Sequence, residues 1–181
     1  MRLKTVFTHK KLLWQYLWGE IMINNEHTGF TVRRAEKTDI ADIAKITHEA
    51  FLKYAELAGL DTIEALTETY DDIASDIENK LVLVAFIDGK VVGSVRVAVD
   101  GTEGYLYRFG VSLERQNLGI GKSLMNMVDI EMESLGVKTL SLHTGAKIAS
   151  LVKFYYSRGF YIDSTSKDKG YVRALLVKNY K

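Results

Sequence analysis

Gln116-Asn117-Leu118-Gly119-Ile120-Gly121-Lys122 lies between an alternating apolar segment and a long amphipathic one, and this junction restricts the chain more than any other stretch. The alternation from Tyr105 to Val111 predicts a strand with Tyr105, Tyr107, Phe109 and Val111 on one face. From Gly119 to about Leu135 the apolar residues recur at helical spacing, and Gly136 supplies a stop. Two glycines at a strand-to-helix turn let a ligand approach the backbone closely. They also leave unpaired N–H groups pointing outward at the positive end of the helix dipole. Such a turn suits an anion, a phosphate or pyrophosphate above all.

Three phosphate-binding patterns compete for the stretch, and spacing separates them. Gly121-Lys122-Ser123 ends like a Walker A loop, but the first glycine of that motif falls at Gln116. A dinucleotide-binding G-x-G-x-x-G needs glycine where Leu124 stands. The pattern [Gln/Arg]-x-x-G-x-[Gly/Ala] fits throughout, from Gln116 through Gly119 to Gly121. About 33 residues further on, Phe154-Tyr155-Tyr156-Ser157-Arg158-Gly159-Phe160 has the form F-Y-x-x-x-G-F, closing another predicted helix. Together the two segments resemble the cofactor loop and the late helix of the GNAT acetyltransferases, and the resemblance runs from about Phe30 to Lys178.

The remaining elements follow a readable order. Phe30 to Arg34 is a short strand, and Thr38 is expected to cap a helix running towards Ala58 that Gly59 ends. A second helix is expected with Ile63, Leu66, Tyr70, Ile73 and Ile77 on one stripe. Asp88-Gly89 joins two strands, Leu81 to Ile87 and Lys90 to Val99, with the residues of a type I′ turn. A strand at Thr139 to His143 and a closing hairpin, Phe160 to Thr165 with Tyr171 to Lys178, complete the pattern. The resemblance implies an α/β (α+β) fold: a mixed, mostly antiparallel seven-stranded sheet flanked by helices. Residues 29–181 form that domain. Residues 1–28 are an extension in which Leu12 to Trp18 is too short and interrupted to span a bilayer. It reads either as an extra helix covering an apolar surface or a homodimer contact, or as an upstream extension before a start at Met22.

Composition narrows the chemistry. The net charge of +1 calls for neither nucleic acid nor a membrane surface as partner. The absence of cysteine removes disulfides, thiolate metal sites and an acyl-cysteine intermediate, and a cytoplasmic protein without metal is expected. His9, His27, His48 and His143 lack metal-ligand spacing, and His143 reads as a hydrogen-bonded residue at a strand end.

The resemblance implies acetyl-CoA as co-substrate and a primary amine as acceptor, joined directly in a ternary complex. The pyrophosphate falls on the backbone from Gln116, Asn117, Leu118, Gly119 and Ile120 to Gly121, with Lys122 as a nearby cation. The pantetheine pairs with the edge of Phe109, Gly110 and Val111, and the Phe109 N–H points at the thioester oxygen as oxyanion donor. Tyr155 matches the general acid for the departing thiolate; a buried tyrosine with a satisfied hydroxyl is the other reading. The family's asparagine early in this helix is missing, and Ser150 is the residue placed to take over its contact. For the base, Glu103 stands two residues before the usual strand position, either acting through water or solvated in a hairpin. Between Glu56 and Glu78 acids such as Glu64, Glu68 and Asp72 occur without a lysine or arginine. They form either an acidic wall that attracts a cationic acceptor or the wet face of two helices. A non-catalytic acyl-CoA sensor remains the alternative function, and a P-loop hydrolase marked by Mg²⁺-dependent nucleotide binding comes third.

Overall fold

The computed structural model describes residues 29–181, so the segment read as an N-terminal helix lies outside the described residues. The strands are β1 (Thr31–Arg34), β2 (Leu81–Ile87), β3 (Lys90–Asp100), β4 (Glu103–Val111), β5 (Thr139–Gly145), β6 (Tyr161–Ser166) and β7 (Arg173–Asn179). The helices are α1 (Ile40–Ala58), α2 (Tyr70–Asn79), α3 (Ile120–Ser134) and α4 (Ala149–Tyr156). The seven strands form one sheet in the order β1-β2-β3-β4-β5-β7-β6. All neighbours run antiparallel except β4 and β5.

Local signals in the chain explain most boundaries. Asp88 and Gly89 both take positive φ, 48° and 81°, as the predicted hairpin turn requires. Gly59 ends α1 in the left-handed region, where glycine carries no Cβ penalty. The expected second helix is broken. Glu64–Leu66 makes a 3-10 turn, and α2 begins only at Tyr70. The reason is a capping box: Thr69 Oγ1 accepts from the Asp72 N–H, while Asp72 accepts from the Thr69 N–H. Tyr70 therefore sits exposed at the first helical position, not on the buried stripe.

Helices cover both faces of the sheet, so β2 is apolar almost throughout. Leu81, Leu83 and Ala85 face the larger core with Leu124, Met125, Val128 and Met132 of α3. Val82 and Val84 face the smaller one with Ile43, Ile46 and Ile73 of α1 and α2. Their burial, worth about 25 cal/mol per Å² of apolar surface, holds both helical layers to the sheet.

Two irregularities shape the centre. β4 and β5 pair over Glu103–Tyr105 and Thr139–Ser141 and then separate. In β4 the register with β3 slips between Ser94 and Arg96, so Arg108 and Phe109 together oppose Val95. Arg108 adopts φ +50°, the mark of a bulge in a non-glycine residue. The expectation of one shared face for Tyr105, Tyr107, Phe109 and Val111 therefore fails. Tyr107 bonds to Asp76 on α2, whereas Phe109 stacks on Phe154 of α4 on the other side.

Candidate active site

Where β4 and β5 part, a cleft of about 1380 Å³ runs between the two helical layers, large enough for an extended ligand and a second small molecule. The glycine loop closes one end. Asn117 and Gly119 take positive φ, 66° and 82°, and α3 starts at Ile120 without a side-chain cap. The first return bond is that from the Ser123 N–H to the Gly119 carbonyl, at 3.0 Å. The N–H groups from Asn117 to Lys122 thus find no backbone acceptor among the described residues. They meet the cleft beside Arg115 and Lys122. A Cβ on Gly121 would come within 3.2 Å of the Phe109 ring, so glycine is what lets α3 pack against β4 here. Exposed donors, a helix dipole and two cations fit a phosphate-bearing ligand.

Other predicted residues distribute unevenly. Phe109, Gly110, Val111, Gln116, Asn117, Gly119, Ile120, Gly121, Lys122, Ser150 and Tyr155 all line the cleft. From Leu106 onward the edge of β4 that would face β5 has no strand partner. Leu118 is half exposed and outside the lining. Tyr155 is 6 % exposed and packs edge-on against Phe154 and Phe160. Burial raises its phenol pKa well above the ordinary value, so the hydroxyl keeps its proton across the physiological range.

Glu103 is not brought to the site. It is the exposed first residue of β4, paired opposite Asp100 and Thr139, roughly 20 Å along the strand from Phe109. His143 lines the cleft instead. Its Nδ1 lies 3.0 Å from the Tyr105 hydroxyl, and burial together with Arg173 lowers its pKa, which favours the neutral imidazole at pH 7. A strand-end histidine in a single sequence carries no signal that separates this place from an ordinary packing one.

The acidic wall also resolves differently. Glu68 and Asp76 turn inward to the fully buried Arg96, with Glu68 held bidentately at 2.7 and 2.7 Å and Asp76 at 2.9 Å. Asp72 is occupied in capping α2, and Glu64 pairs with Lys169 at 2.7 Å. Glu64 is the single carboxylate among the described lining residues, against Lys53, Lys80, Arg108, Arg115, Lys122, Lys169 and Arg173. Arg108 was hidden in the sequence by the regular alternation of its neighbours. The one hint was Gly110 inside a strand, whose Cβ would meet Ala50 at 3.0 Å. Opposite, Tyr54 of α1 and Tyr171 share a hydrogen bond of 2.9 Å across the cleft.

Among the described residues, no group of three or more His, Asp or Glu side chains is arranged to hold a metal, and no helix is long and apolar enough to cross a membrane.

Known structures repeat this architecture. The PaiA N-acetyltransferase of Thermoplasma acidophilum, solved with coenzyme A, superposes with a TM-score of 0.74 at 19 % identity, over 83 % of this chain and 99 % of that one. A ribosomal-protein-alanine N-acetyltransferase from Brucella melitensis gives 0.68 at 20 % identity, covering 82 % and 99 %. YncA from Salmonella typhimurium, solved with its cofactor acetyl-CoA, gives 0.67 at 19 % identity, covering 84 % and 94 %. At these identities the likeness concerns the fold. The family model described as the acetyltransferase (GNAT) family matches residues 42–160, more than half of the chain, and spans the glycine loop, the parted strands and the F-Y-x-x-x-G-F helix. The protein belongs to the GNAT family of acetyltransferases.

Proposed function

We propose that the protein is an N-acetyltransferase that moves the acetyl group of acetyl-CoA directly to a primary amine. The observation that carries this is the joining of an anion-binding loop to a strand edge left open by the parting of β4 and β5, within a chain of this family. Neighbours solved with coenzyme A or acetyl-CoA support the choice of co-substrate. The backbone from Gln116 to Gly121 and the Lys122 ammonium hold the pyrophosphate, and the edge from Phe109 to Val111 holds the pantetheine amides. Ser150, in the first turn of α4, adds a hydroxyl to the same wall.

In this reading the amine attacks the thioester carbonyl, and the Phe109 N–H stabilises the developing oxyanion. Tyr155, protonated throughout the working range, gives its proton to the departing thiolate. His143 replaces Glu103 as the base. With Nδ1–H donating to the Tyr105 oxygen, Nε2 holds a lone pair for the ammonium proton. Most of the acceleration comes from holding amine and thioester together in one cleft.

The test is CoA release from acetyl-CoA over a panel of amines, comparing the wild type with Tyr155→Phe. Amine-dependent release is expected, with kcat about 100-fold lower in the variant, within the usual range for a lost general acid. Acetyl-CoA affinity should hold. Tight acetyl-CoA binding with no release across the panel would favour the non-catalytic sensor, and no binding would overturn the cofactor assignment.

A further inference from the structure

We propose that the acceptor carries a carboxylate close to its amine, as an amino acid does, and that Arg108 is the counter-ion that selects it. The inference rests on the acetyltransferase reading above and names its substrate class. The bulge in β4 places Arg108 on the α1 and α2 side of the sheet, in the half of the cleft lined by Tyr105, Tyr107 and His143. Its Nε donates to Glu68 Oε1 at 3.1 Å, and its guanidinium lies 5.8 Å from the centre of the Phe51 ring. The two terminal nitrogens have no hydrogen-bond partner among the described residues.

The charge balance decides the sign of the ligand. Glu68 is already matched by the buried fork of Arg96, and Asp76 is shared by Arg96 and Lys80. Lys80, Arg96 and Arg108 thus stand against Glu68 and Asp76, with Asp72 within electrostatic reach of Arg108 but held in the cap of α2 and outside the cleft lining. Lys169 and Arg173 each have a carboxylate of their own, in Glu64 and Asp168. The lining of the cleft itself stays predominantly cationic, with Glu64 its single carboxylate among the described residues, and Arg108 is the cation there whose terminal nitrogens are unoccupied. Arg108 is 22 % exposed, so its field is less screened than that of a surface cation. A polyamine or an amino sugar with further positive charges meets repulsion here, whereas a carboxylate can accept two parallel N–H bonds from the fork. The neighbouring residue, Phe109, supplies the N–H assigned to the thioester oxygen. With Arg108 and Phe109 adjacent in β4, one small molecule can present its carboxylate to the guanidinium and its amine to the thioester, as an α- or β-amino acid would. The stacked Tyr105 and Tyr107 rings, 6.2 Å apart, offer an apolar wall to its side chain.

The experiment uses the full chain with acetyl-CoA and three matched acceptors at equal free-base concentration: phenylalanine, phenylalanine amide and phenethylamine. The same set is repeated with leucine and its relatives. The acid is expected to exceed the amide and the plain amine in kcat/KM by about tenfold or more, equivalent to ~1.4 kcal/mol. Arg108→Gln should collapse that ratio through the KM of the acid, and Arg108→Lys should restore part of it, since an ammonium keeps the charge but loses the fork. A merely structural arginine would lower all three substrates in proportion, and that result overturns the proposal. So does an amide or plain amine that matches the acid, or coenzyme A binding with no release from any acid. Calorimetric binding of coenzyme A, measured on every protein, separates the two readings. Its absence in the wild type overturns the acetyltransferase function itself, while its retention in Arg108→Gln shows that the variant is folded at the site.

Discussion

Replacing Arg96 by methionine perturbs a side chain with no solvent exposure that ties β3 to α2 and to the turn before it. The substitution removes three charge-assisted hydrogen bonds, two to Glu68 at 2.7 Å and one to Asp76 at 2.9 Å. Neither carboxylate is then left without a partner. Glu68 keeps Arg108 at 3.1 Å, and Asp76 keeps Lys80 at 2.7 Å and the Tyr107 hydroxyl at 2.9 Å. Methionine also refills most of the space of the arginine stem, and the unpartnered Nε of Arg96 disappears. The cost therefore falls at the low end of the range for breaking a buried pair, about 3 kcal/mol. For a chain of this size that corresponds to a melting temperature lower by about 9 °C. Urea unfolding, with an unchanged slope, and a thermal melt both read it. Adding Glu68→Gln and Asp76→Asn removes the buried negative charges and should return at least half of the loss, about 1.5 kcal/mol. A loss below about 1 kcal/mol for Arg96→Met, or a triple variant no more stable than the single one, would refute the claim that these charges hold one another in place.

Two further predictions concern the site. Burial lowers the pKa of His143, so its neutral form is lost only below the ordinary histidine value. With the free-base fraction of the acceptor accounted for, kcat/KM should stay level through pH 7 and fall as pH drops below about 6.5. His143→Gln should lower the plateau and abolish that limb; a limb that survives unchanged assigns the proton to another group. Gly119→Ala forces a side chain into φ +82°, at a cost of roughly 1–2 kcal/mol, and tilts the loop N–H groups. Coenzyme A affinity, measured by calorimetry, should fall about tenfold, while a loss of stability with unchanged affinity would detach the loop from phosphate binding.

The network around Arg96 shows why part of the site could not be read along the chain. Glu68, Asp76, Arg96, Tyr107 and Arg108 come from three separate segments, and their pairing depends on how α2 lies across β3 and β4. In sequence, Glu68 and Asp76 belong to a run of acids that resembles a solvated face. In the folded chain they are turned inward by the cation behind them. The same holds for the second helix, where a helical stripe from Ile63 to Ile77 gives way to the capping box at Thr69 and Asp72. Local hydrogen bonding won there over hydrophobic spacing.

What the sequence determined by itself is the set of features whose physics is local. Asp88-Gly89 and Gly59 meet backbone conformations that few other residues accept, and apolar periods of two and 3.6 name strands and helices wherever one face is buried. The glycine loop and the F-Y-x-x-x-G-F segment carried the family, because short backbone motifs keep their geometry within a few residues. Only the tertiary structure decided which face each residue of β4 presents, since one extra residue at Arg108 reverses the alternation beyond it. The fold also leaves Glu103 at the far end of β4, brings His143 of β5 into the cleft and sets Arg108 there with its terminal nitrogens unoccupied among the described residues. Each depends on distances between segments far apart in the chain, and a charge acquires its partner only when the fold brings one to it.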